Sequence, residues 1–565
     1  MVVDVGAITR EFDYVVPTRW TDRVGVGTMV RVPLHGRRVP GWVVALDTEP
    51  PSWVKTEAVT KVSGCGPSAE VIDLARWAAW RWAGRLPHFL GAASPDTMVP
   101  SIASTRRRAV ALPTAPEMAG LFDGPRATFR LPPAGDPLPV VLAAVARGDS
   151  LVVCPTMEVV RQLMGGLRRA GVSAVSYPDG WPAAAAGTTV VGTRRAIFAP
   201  MPALRSIVVI DEHDEALQNE GSPTWHAREV AFERGRRHGV PVVLTSPCPT
   251  LEATRRAPLQ TVSRTAERQG WATIETVDRR NEDVSQSGLF TSAAVRAFGG
   301  EGRVVCVLNR TGRAGLLSCG ACRTVAACER CGASVFLDDE RRLVCRQCAD
   351  VRPLICASCG ATAMRQLRLG VTRAREELEA LIREPVSEIT ATRRSGSPAC
   401  RVVIGTEAVF HQVVDASVVV FLDFDQELLA PRYRASEHAM ALLAAASKLV
   451  GGRQGRIVVQ TRTPDDPVLA AAIGADPSIL SEREDKRRHL LELPPAMSVA
   501  VVGGQAGEAF MAVFEPPADA RVDRGPSGES LIRCADRAVL LDALAEVTRP
   551  SGRLRLWIDP LRLPT

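Results

Sequence analysis

Eight of the fourteen cysteines lie in one 41-residue window, where their spacing suits metal binding. They form four Cys-x-x-Cys pairs, each of which presents two sulfurs to one point from a tight turn: Cys319/Cys322, Cys328/Cys331, Cys345/Cys348 and Cys356/Cys359. Two such pairs complete a tetrahedral Cys₄ shell around Zn²⁺ and leave no open position for a catalytic water. The sequence therefore predicts two structural zinc ions per chain.

The spacing alone leaves the combination of the four pairs open. A nested scheme is favoured, in which the two outer pairs bind one zinc ion and the two inner pairs bind the other. A sequential or a cross-braced scheme would use the same eight residues. Disulfides are the alternative chemistry, but nothing in the chain indicates export, and pairs with this spacing favour metal.

A second candidate site follows the apolar run at residues 208–210, which ends in Asp211 and Glu212. In P-loop ATPases an acidic pair at the end of a strand holds Mg²⁺ and helps to orient the attacking water. The alternative is a solvated acidic turn, since acidic strand ends are common. The pair is therefore a candidate motor site only if a phosphate-binding loop precedes it.

The chain lacks that loop. The pattern Gly-x-x-x-x-Gly-Lys-Ser/Thr surrounds phosphates with backbone amides, a lysine charge and a hydroxyl, and it occurs nowhere in the sequence. At the corresponding place, Asp136 follows Gly135 and has the wrong charge for phosphate, while Pro137 lacks both a hydroxyl and an amide donor. The sequence therefore disfavours ATP and Mg²⁺ as cofactors.

Composition indicates a multidomain protein that could handle nucleic acid. The 565 residues exceed what a single core holds, and 46% of them are hydrophobic. A net charge of +7 permits a nucleic-acid partner without requiring one. No apolar run reaches the length of about 18 residues expected of a membrane span, and the N-terminus lacks an apolar signal core. We therefore expect a cytoplasmic protein with no membrane partner.

The elements that position these residues follow an α/β pattern. Residues 1–100 open with short β-like runs separated by turn residues, which predicts a small barrel or sandwich. From about residue 125, short β-branched runs alternate with helical stretches, as buried parallel strands do. A second series of this kind follows, and the cysteine window interrupts it after its first strand. From about residue 465 the pattern predicts a helix and then strands.

The order of these segments resembles the PriA family, the primosomal proteins that restart collapsed bacterial replication forks. The most specific match is the cysteine window together with the preceding Leu308, Asn309, Arg310 and Gly312. Further similar segments are residues 10–14 (Arg-Glu-Phe-Asp-Tyr), 30–33 (Val-Arg-Val-Pro), 190–200 (beginning Val-Val-Gly-Thr-Arg), 211–214 (Asp-Glu-His-Asp), 225–228 (Trp-His-Ala-Arg), 404–406 (Ile-Gly-Thr) and 493–495 (Leu-Pro-Pro). The resemblance extends from about residue 8 to residue 562.

The resemblance implies an α/β multidomain fold. It has a small β-rich N-terminal DNA-binding domain, two RecA-like helicase lobes, a double-zinc insertion in the second lobe and an α+β C-terminal domain. The implied boundaries are 1–100 for the domain that binds DNA 3′ ends, 101–124 for a linker that replaces most of a winged helix, 125–262 and 263–464 for the lobes, 315–362 for the zinc insertion, and 465–565 for the C-terminal domain.

Two departures from the family indicate a degenerate member, similar to actinobacterial-type PriA proteins without a functional phosphate loop. One is the loss of the loop at Gly135 and Asp136. The other is at residues 445–452, which read Ala-Ala-Ser-Lys-Leu-Val-Gly-Gly where the family has a motif with two arginines that face the γ-phosphate. Asp211 and Glu212 are therefore degenerate motor positions, and no catalytic residue is assigned.

The resemblance also implies contacts with forks, 3′ ends and single strands. The candidates are Phe12, Asp13, Tyr14, Arg31, Arg37, Arg38, Trp225 and Arg228. Aromatic rings can stack on bases, a carboxylate can accept a hydrogen bond from a base amine or a terminal hydroxyl, and arginines can contact phosphates. Alternatively, Phe12 and Tyr14 face the core of their domain, and Trp225 anchors a loop between the lobes.

Three functions are compatible with the sequence. The favoured one is a replication-restart factor without motor activity, which binds branched DNA in the nucleoid and recruits primosome proteins, the replicative helicase or its loader, and single-stranded DNA-binding protein. The second is an ATP-dependent 3′→5′ DNA helicase with an atypical nucleotide site. The third is a zinc-ribbon module that serves transcription or RNA metabolism.

Overall fold

The computed structural model of the protein describes residues 1–5, 8, 10–50, 56–103, 116–280, 289–309, 316–345, 347–367, 371–390, 400–525 and 528–564. Arg310 and Gly312 of the family motif, and residues 104–115 of the expected linker, lie outside these ranges. Within them, no helix has both the length and the apolar character needed to cross a membrane.

The N-terminal domain packs two helices on a small sheet. Its elements are β1 (Val2–Val3), β2 (Tyr14–Val15), β3 (Met29–Leu34), β4 (Arg37–Trp42), β5 (Glu57–Ala58), β6 (Lys61–Gly64), α1 (Ala69–Arg81) and α2 (Leu86–Ala93). The antiparallel strand order is β1-β4-β3-β6, and β2 pairs with β5. Ser68 caps α1 by accepting a hydrogen bond from the Val71 amide. The domain is β-rich as predicted, and both faces of its main sheet are covered: one by α1 and α2, the other by the segments around β2 and β5.

The first lobe is a parallel sheet between helices. Its elements are α3 (Pro116–Ala119), β7 (Arg126–Arg130), α4 (Leu138–Val145), β8 (Ser150–Val153), α5 (Met157–Arg169), β9 (Ala174–Tyr177), α6 (Trp181–Ala186), β10 (Thr189–Gly192), β11 (Ser206–Val209), α7 (Ala227–His238), β12 (Val242–Ser246), α8 (Leu251–Thr254) and β13 (Leu259–Thr261). The strand order is β13-β7-β12-β11-β8-β10-β9. The central strands are buried on both faces, which is why their sequences are continuous and β-branched.

The second lobe repeats this architecture and carries the cysteine insertion. Its elements are α9 (Arg264–Gly270), β14 (Thr273–Asp278), α10 (Ser292–Phe298), β15 (Val304–Val307), then β16 (Leu316–Cys319), β17 (Val335–Leu337), β18 (Leu343–Cys345), β19 (Val351–Arg352) and β20 (Met364–Leu367) of the insertion, then α11 (Val371–Ile382), β21 (Val386–Ile389), β22 (Val402–Gly405), α12 (Val409–Gln412), β23 (Val418–Phe421), α13 (Asp425–Leu428), α14 (Ala435–Leu449), β24 (Arg456–Thr461) and α15 (Pro467–Ile473). The parallel strand order is β14-β24-β23-β15-β22-β21. Helix α15 packs into the core of this lobe, so the compact unit extends beyond the expected boundary at residue 464.

The C-terminal region begins with a long helix, which is followed by a four-stranded antiparallel sheet and two further helices. Its elements are α16 (Ser478–Leu490), β25 (Ser498–Gly503), α17 (Gly507–Met511), β26 (Arg521–Arg524), β27 (Ser530–Cys534), α18 (Arg537–Glu546) and β28 (Arg555–Ile558). The strand order is β26-β27-β25-β28. The predicted fold class, with its β-rich start, two parallel α/β lobes, cysteine insertion and α+β end, is confirmed.

One hydrophobic core joins the N-terminal domain, the first lobe and the C-terminal domain. It includes Trp82, which directly follows α1, Phe198 of the first lobe and Phe510 of α17, all at most 2% exposed. Polar contacts reinforce the junction: Trp80 Nε1 donates to Asp542 Oδ1 at 2.8 Å, and Arg81 pairs with Asp559 at 3.0 Å. These three parts of the chain therefore form a single packed body.

Candidate functional sites

The insertion gathers the eight cysteines into two groups of four. Cys319, Cys322, Cys356 and Cys359 form one group, and Cys328, Cys331, Cys345 and Cys348 form the other. Within them, Sγ–Sγ distances are 3.5 Å between Cys319 and Cys359 and 3.4 Å between Cys331 and Cys345, which is the separation of ligands around one tetrahedral ion. The grouping is the nested scheme.

Short strands and tight turns position the sulfurs. The antiparallel pair β16/β20 sets the first outer turn, while β17/β18 and β18/β19 frame the inner group. Backbone amides point at the sulfurs: Ala321 N donates to Cys319 Sγ at 3.4 Å, and Gln347 N donates to Cys345 Sγ at 3.3 Å. Such amides favour thiolates, the ligand form that zinc requires. Among the described residues, these two are the groups with metal-ligand geometry, and both fit a structural Zn²⁺.

The loop that would hold phosphates is instead closed on itself. Gly135 N donates to the Pro132 carbonyl at 2.8 Å, and the Asp136 carboxylate accepts from Leu138 N at 2.9 Å. Asp136 thus places a negative charge at the start of α4, where a nucleotide phosphate would need the amides. The neighbouring cavity between the lobes has a volume of about 370 Å³ and is lined in part by Pro132, Pro133 and Pro137.

The acidic pair after β11 is already occupied by protein groups. Glu212 is fully buried and accepts hydrogen bonds from Thr250 N at 2.8 Å and from Arg228 Nη1 at 2.6 Å. Asp211 has a φ of 49° and faces Lys448, whose Nζ lies 3.6 Å from Asp211 Oδ2. The two carboxylates therefore balance an arginine and a lysine of the protein.

Trp225 and Arg228 do not contact solvent as the predicted DNA contacts would require. Trp225 is 2% exposed and lies against Phe89 and Phe198, with ring centroids 6.3 Å and 5.4 Å away. Arg228 is 4% exposed and paired with Glu212. Burial of both side chains disfavours direct contact with DNA at these positions. The alternative, an anchored loop between the lobes, differs in its partner, because Phe89 belongs to α2 of the N-terminal domain.

The N-terminal candidates lie at the edge of their domain. Phe12, Asp13 and Tyr14 are all partly buried. Tyr14 Oη donates to the Pro33 carbonyl at 2.8 Å, and Asp13 Oδ1 accepts from Thr48 Oγ1 at 2.9 Å. Each side chain thus has one surface against the domain and one toward solvent. The alternative, that Phe12 and Tyr14 face the core of their domain, therefore describes only part of their surface.

The arginine candidates are on an exposed hairpin. Arg31 of β3 and Arg37 and Arg38 of β4 are all exposed, and Tyr14 is tied to the same strand through Pro33. Sequence reasoning missed Arg10, whose guanidinium lies 4.8 Å from the centroid of the Phe12 ring. The available sequence signals were its place at the start of the family-like segment 10–14 and its position two residues before an aromatic. The arrangement combines exposed positive charge with partly exposed rings, which is suited to a nucleic-acid strand.

Sequence reasoning also missed Lys448 and Arg434 as cleft residues. Lys448 is one of four lysines in a chain rich in arginine, together with Lys55, Lys61 and Lys486, and it lies in the segment aligned with the family's arginine motif, so both its rarity and its position were available signals. Arg434 precedes α14 and contacts Glu252 of the first lobe. Both contacts depend on how the lobes face each other, which no local pattern encodes.

Comparison with known proteins agrees with this architecture. Residues 1–95 match the family model described as the 3′DNA-binding domain (3′BD) of PriA. The replication restart protein PriA of Bacillus subtilis is 26% identical over 390 residues, which cover 62% of this chain and 48% of that protein. The chain therefore spans about half the length of that relative. The probable replication restart protein PriA of Mycobacterium leprae is 26% identical over 585 residues, which cover 90% of this chain and 87% of that protein.

Among solved structures, S. cerevisiae Dbp5 bound to RNA and ADP BeF3 is similar with a TM-score of 0.34 and 11% identity, covering 66% of this chain and 91% of that one.

Two parallel α/β lobes and an insertion with two Cys₄ groups suited to metal define the class of architecture to which the chain belongs. The chain is similar to the PriA replication restart proteins, and the resemblance inferred from its motifs is confirmed.

Proposed function

We propose that this protein is a replication-restart factor that binds forked DNA without acting as a motor. The observation that carries the proposal is the altered phosphate site: Asp136 and prolines replace the phosphate loop, and Lys448 pairs with Asp211. The N-terminal domain, by contrast, retains exposed arginines and partly exposed rings on one hairpin region. A scaffold that kept its DNA domain and lost its motor site would recognise DNA and pass it to other proteins.

The proposed ligands are stalled or branched forks, 3′ ends and adjoining single strands. The proposed protein partners are other primosome proteins, the replicative helicase or its loader, and single-stranded DNA-binding protein, with action at the nucleoid in the cytoplasm. We further propose that each Cys₄ group holds one structural Zn²⁺, since four thiolates leave no position for a substrate.

Fork binding by the full-length, zinc-loaded protein tests the proposal. Its affinity for a fork should exceed its affinity for linear duplex and for RNA at physiological salt. The double substitution Arg37→Ala/Arg38→Ala should weaken fork binding about tenfold. It should also reduce the slope of log affinity against log salt concentration by the amount expected for the loss of about two phosphate contacts. Arg168→Ala/Arg169→Ala, which removes the same charge from exposed positions on α5, is the matched control and should change neither quantity.

Recognition of the strand end has its own test. A fork whose leading strand ends in a 3′ hydroxyl should bind more tightly than one that ends in a 3′ phosphate, because Asp13 would accept from the hydroxyl and repel the phosphate. Asp13→Asn should reduce that difference. Equal binding of fork, duplex and RNA would instead favour the zinc-ribbon module for RNA metabolism.

A measurement of ATP turnover distinguishes a restart factor without motor activity from an ATP-dependent helicase. Forked DNA should stimulate no ATP hydrolysis and no unwinding by the purified protein. DNA-stimulated turnover that Asp211→Ala abolishes would establish the alternative, an ATP-dependent 3′→5′ helicase with an atypical nucleotide site, and would overturn the proposal.

A further inference from the structure

The two lobes meet through charged side chains that are buried away from water. Four of them form an interlobe cluster: Glu252 of α8 in the first lobe, and Arg434, Glu437 and Arg488 from the second lobe and α16. Arg434 holds Glu252 with both guanidinium nitrogens, and Arg488 Nη1 lies 3.4 Å from the same carboxylate. Arg488 is also 2.6 Å from Glu437, and Arg434 is 3.1 Å from it. The cluster therefore crosses the interface with two cations and two anions.

Burial makes this cluster hard to open. The side chain of Arg488 is 0% exposed, and those of Glu252 and Arg434 are each 11% exposed. Separating the lobes would remove Glu252 from both arginines, which would keep Glu437 and, 3.9 Å from Arg488, Glu484. The cost of separation is the lost attraction of Glu252 to two guanidinium groups at low exposure, and hydration of the separated charges offsets part of it.

Further interlobe pairs lie at the rim of the same interface. Lys448 of α14 reaches Asp211 of the first lobe. Arg130 at the end of β7 pairs with Asp476, which follows α15, at 3.2 Å. In P-loop motors an acidic residue at such a strand end holds the Mg²⁺ that bridges the nucleotide phosphates. Here a lysine ammonium of the second lobe supplies the positive charge.

We propose that the interlobe cluster and the Lys448–Asp211 pair hold the two lobes in one fixed arrangement, so that Mg²⁺ and ATP are needed neither to bring the lobes together nor to move them. The ammonium of Lys448 takes the place of a metal cation at Asp211. The buried cluster supplies most of the holding force, and the half-exposed lysine adds a smaller contribution at the mouth of the cleft. This inference concerns the mobility of the lobes, and its test does not depend on whether the protein binds forks.

Single-molecule energy transfer between the lobes tests the inference without any DNA. Dyes attached to bio-orthogonal residues at Arg168 in the first lobe and Arg373 in the second leave all the cysteine ligands intact. Both positions are exposed. The full-length protein should show one narrow population, unchanged by millimolar Mg²⁺ and ATP.

Variants on each side of the interface sharpen the experiment. Glu252→Gln should increase the separated population about tenfold or more, because it breaks a buried pair. Lys448→Gln and Asp211→Asn remove a more exposed pair and should each increase it only severalfold, with no further increase in the double variant. Lys486→Gln, at an exposed position on α16, is the matched control and should leave the distribution unchanged.

Three outcomes would overturn the inference. They are several populations in the unmodified protein, a shift on addition of Mg²⁺ and ATP, and Lys448→Gln and Asp211→Asn variants that behave like the Lys486→Gln control. The last comparison remains valid even if Glu252→Gln does not fold, because Asp211 and Lys448 are not in the buried cluster.

Discussion

At the scale of single residues, burial and ion pairing determine which role a charged side chain can have. Arg228 and Arg37 are both arginines in segments that resemble PriA motifs. Arg228 is buried against Glu212, while Arg37 is exposed on a hairpin. The first is therefore part of the protein's internal charge balance, and the second is free to meet a phosphate. The same side-chain chemistry serves stability in one place and recognition in the other.

Arg228 gives a prediction about stability. Arg228→Ala leaves the fully buried Glu212 without its cation, so the free energy of unfolding should fall by about 3–5 kcal/mol. Arg236→Ala, on the exposed side of the same helix α7, should change it by no more than about 0.5 kcal/mol. Denaturant unfolding followed by circular dichroism measures both. Equal effects of the two substitutions would show that Glu212 does not depend on Arg228.

The cysteines give a prediction about metal stoichiometry. In the nested grouping, Cys319→Ser should release one zinc ion, and adding Cys359→Ser should release no second ion, because both residues belong to one group. Adding Cys328→Ser to Cys319→Ser should release both ions. Cys65→Ser, outside the insertion, is the control. Release of a single ion by Cys319→Ser/Cys328→Ser, measured by elemental analysis, would establish the sequential scheme instead.

The ligand set could be predicted from sequence because its members are close along the chain and their spacing is dictated by the turn that carries them. The nested grouping could only be favoured, since it depends on β16 pairing with β20 across the insertion. The burial of Trp225 could not be predicted, because Phe89, which covers it, belongs to another domain. The partner of Lys448 could not be predicted for the same reason, as it lies on the opposite lobe.

At the scale of elements, helix α14 connects the lobes through a histidine. His438 lies 3.1 Å from Glu407 and 3.5 Å from Glu215 of the first lobe, with Glu427 and Arg432 also facing it. Burial alone would lower the pKa of His438, but hydrogen bonds to Glu215 and Glu407 outweigh it and raise the pKa to about 9. Burial opposes ionisation of Glu215 as well, yet His438 and Arg432 lower its pKa to about 2.

This pair predicts a pH dependence of stability. A histidine whose pKa is raised on folding stabilises the protein fully below its ordinary value of 6.5, and the contribution is lost as the pH rises through about 9. The pKa of Glu215 is lowered on folding, so its contribution to stability is fully present above pH 4.5 and is lost as the pH falls through about 2. Between pH 6.5 and 9 the protein should therefore lose up to about 3 kcal/mol of stability.

Unfolding of matched variants across that range checks the assignment. His438→Gln should abolish most of the loss, since the ring can no longer titrate. His489→Gln, which changes an exposed histidine on α16, should leave the pH profile unchanged. A profile that is the same in His438→Gln and in the unmodified protein would show that another group titrates.

Among the elements, the strands of the two lobes were the most predictable part of the fold. Their continuous β-branched runs reflect burial on both faces of a parallel sheet, which is a local property of the sequence. The order of the strands and the placement of α15 in the second core could not be predicted, because they depend on contacts between distant segments.

At the scale of the whole molecule, the shared core couples three domains. Phe89→Ala, in the aromatic cluster with Phe198 and Trp225, should destabilise the body by about 3–5 kcal/mol. Amide exchange should accelerate together in β8 of the first lobe and in β25 and β27 of the C-terminal domain. Leu343→Ala, in the separate core of the insertion, should accelerate exchange only there. Acceleration confined to the N-terminal domain after Phe89→Ala would disprove the coupling.

The same shared core has a consequence for biosynthesis. Residues 2–99, 151–257 and 500–558 supply parts of it, so the surface of the first segment that faces the C-terminal domain waits for about 400 residues of further translation before it is covered. At typical elongation rates this interval lasts roughly 20–80 s. During that time the nascent chain exposes Trp82 and its neighbours near the ribosome, where chaperones act. Slower codons or weaker chaperone supply should therefore reduce the soluble yield of this protein more than that of one whose domains mature in order.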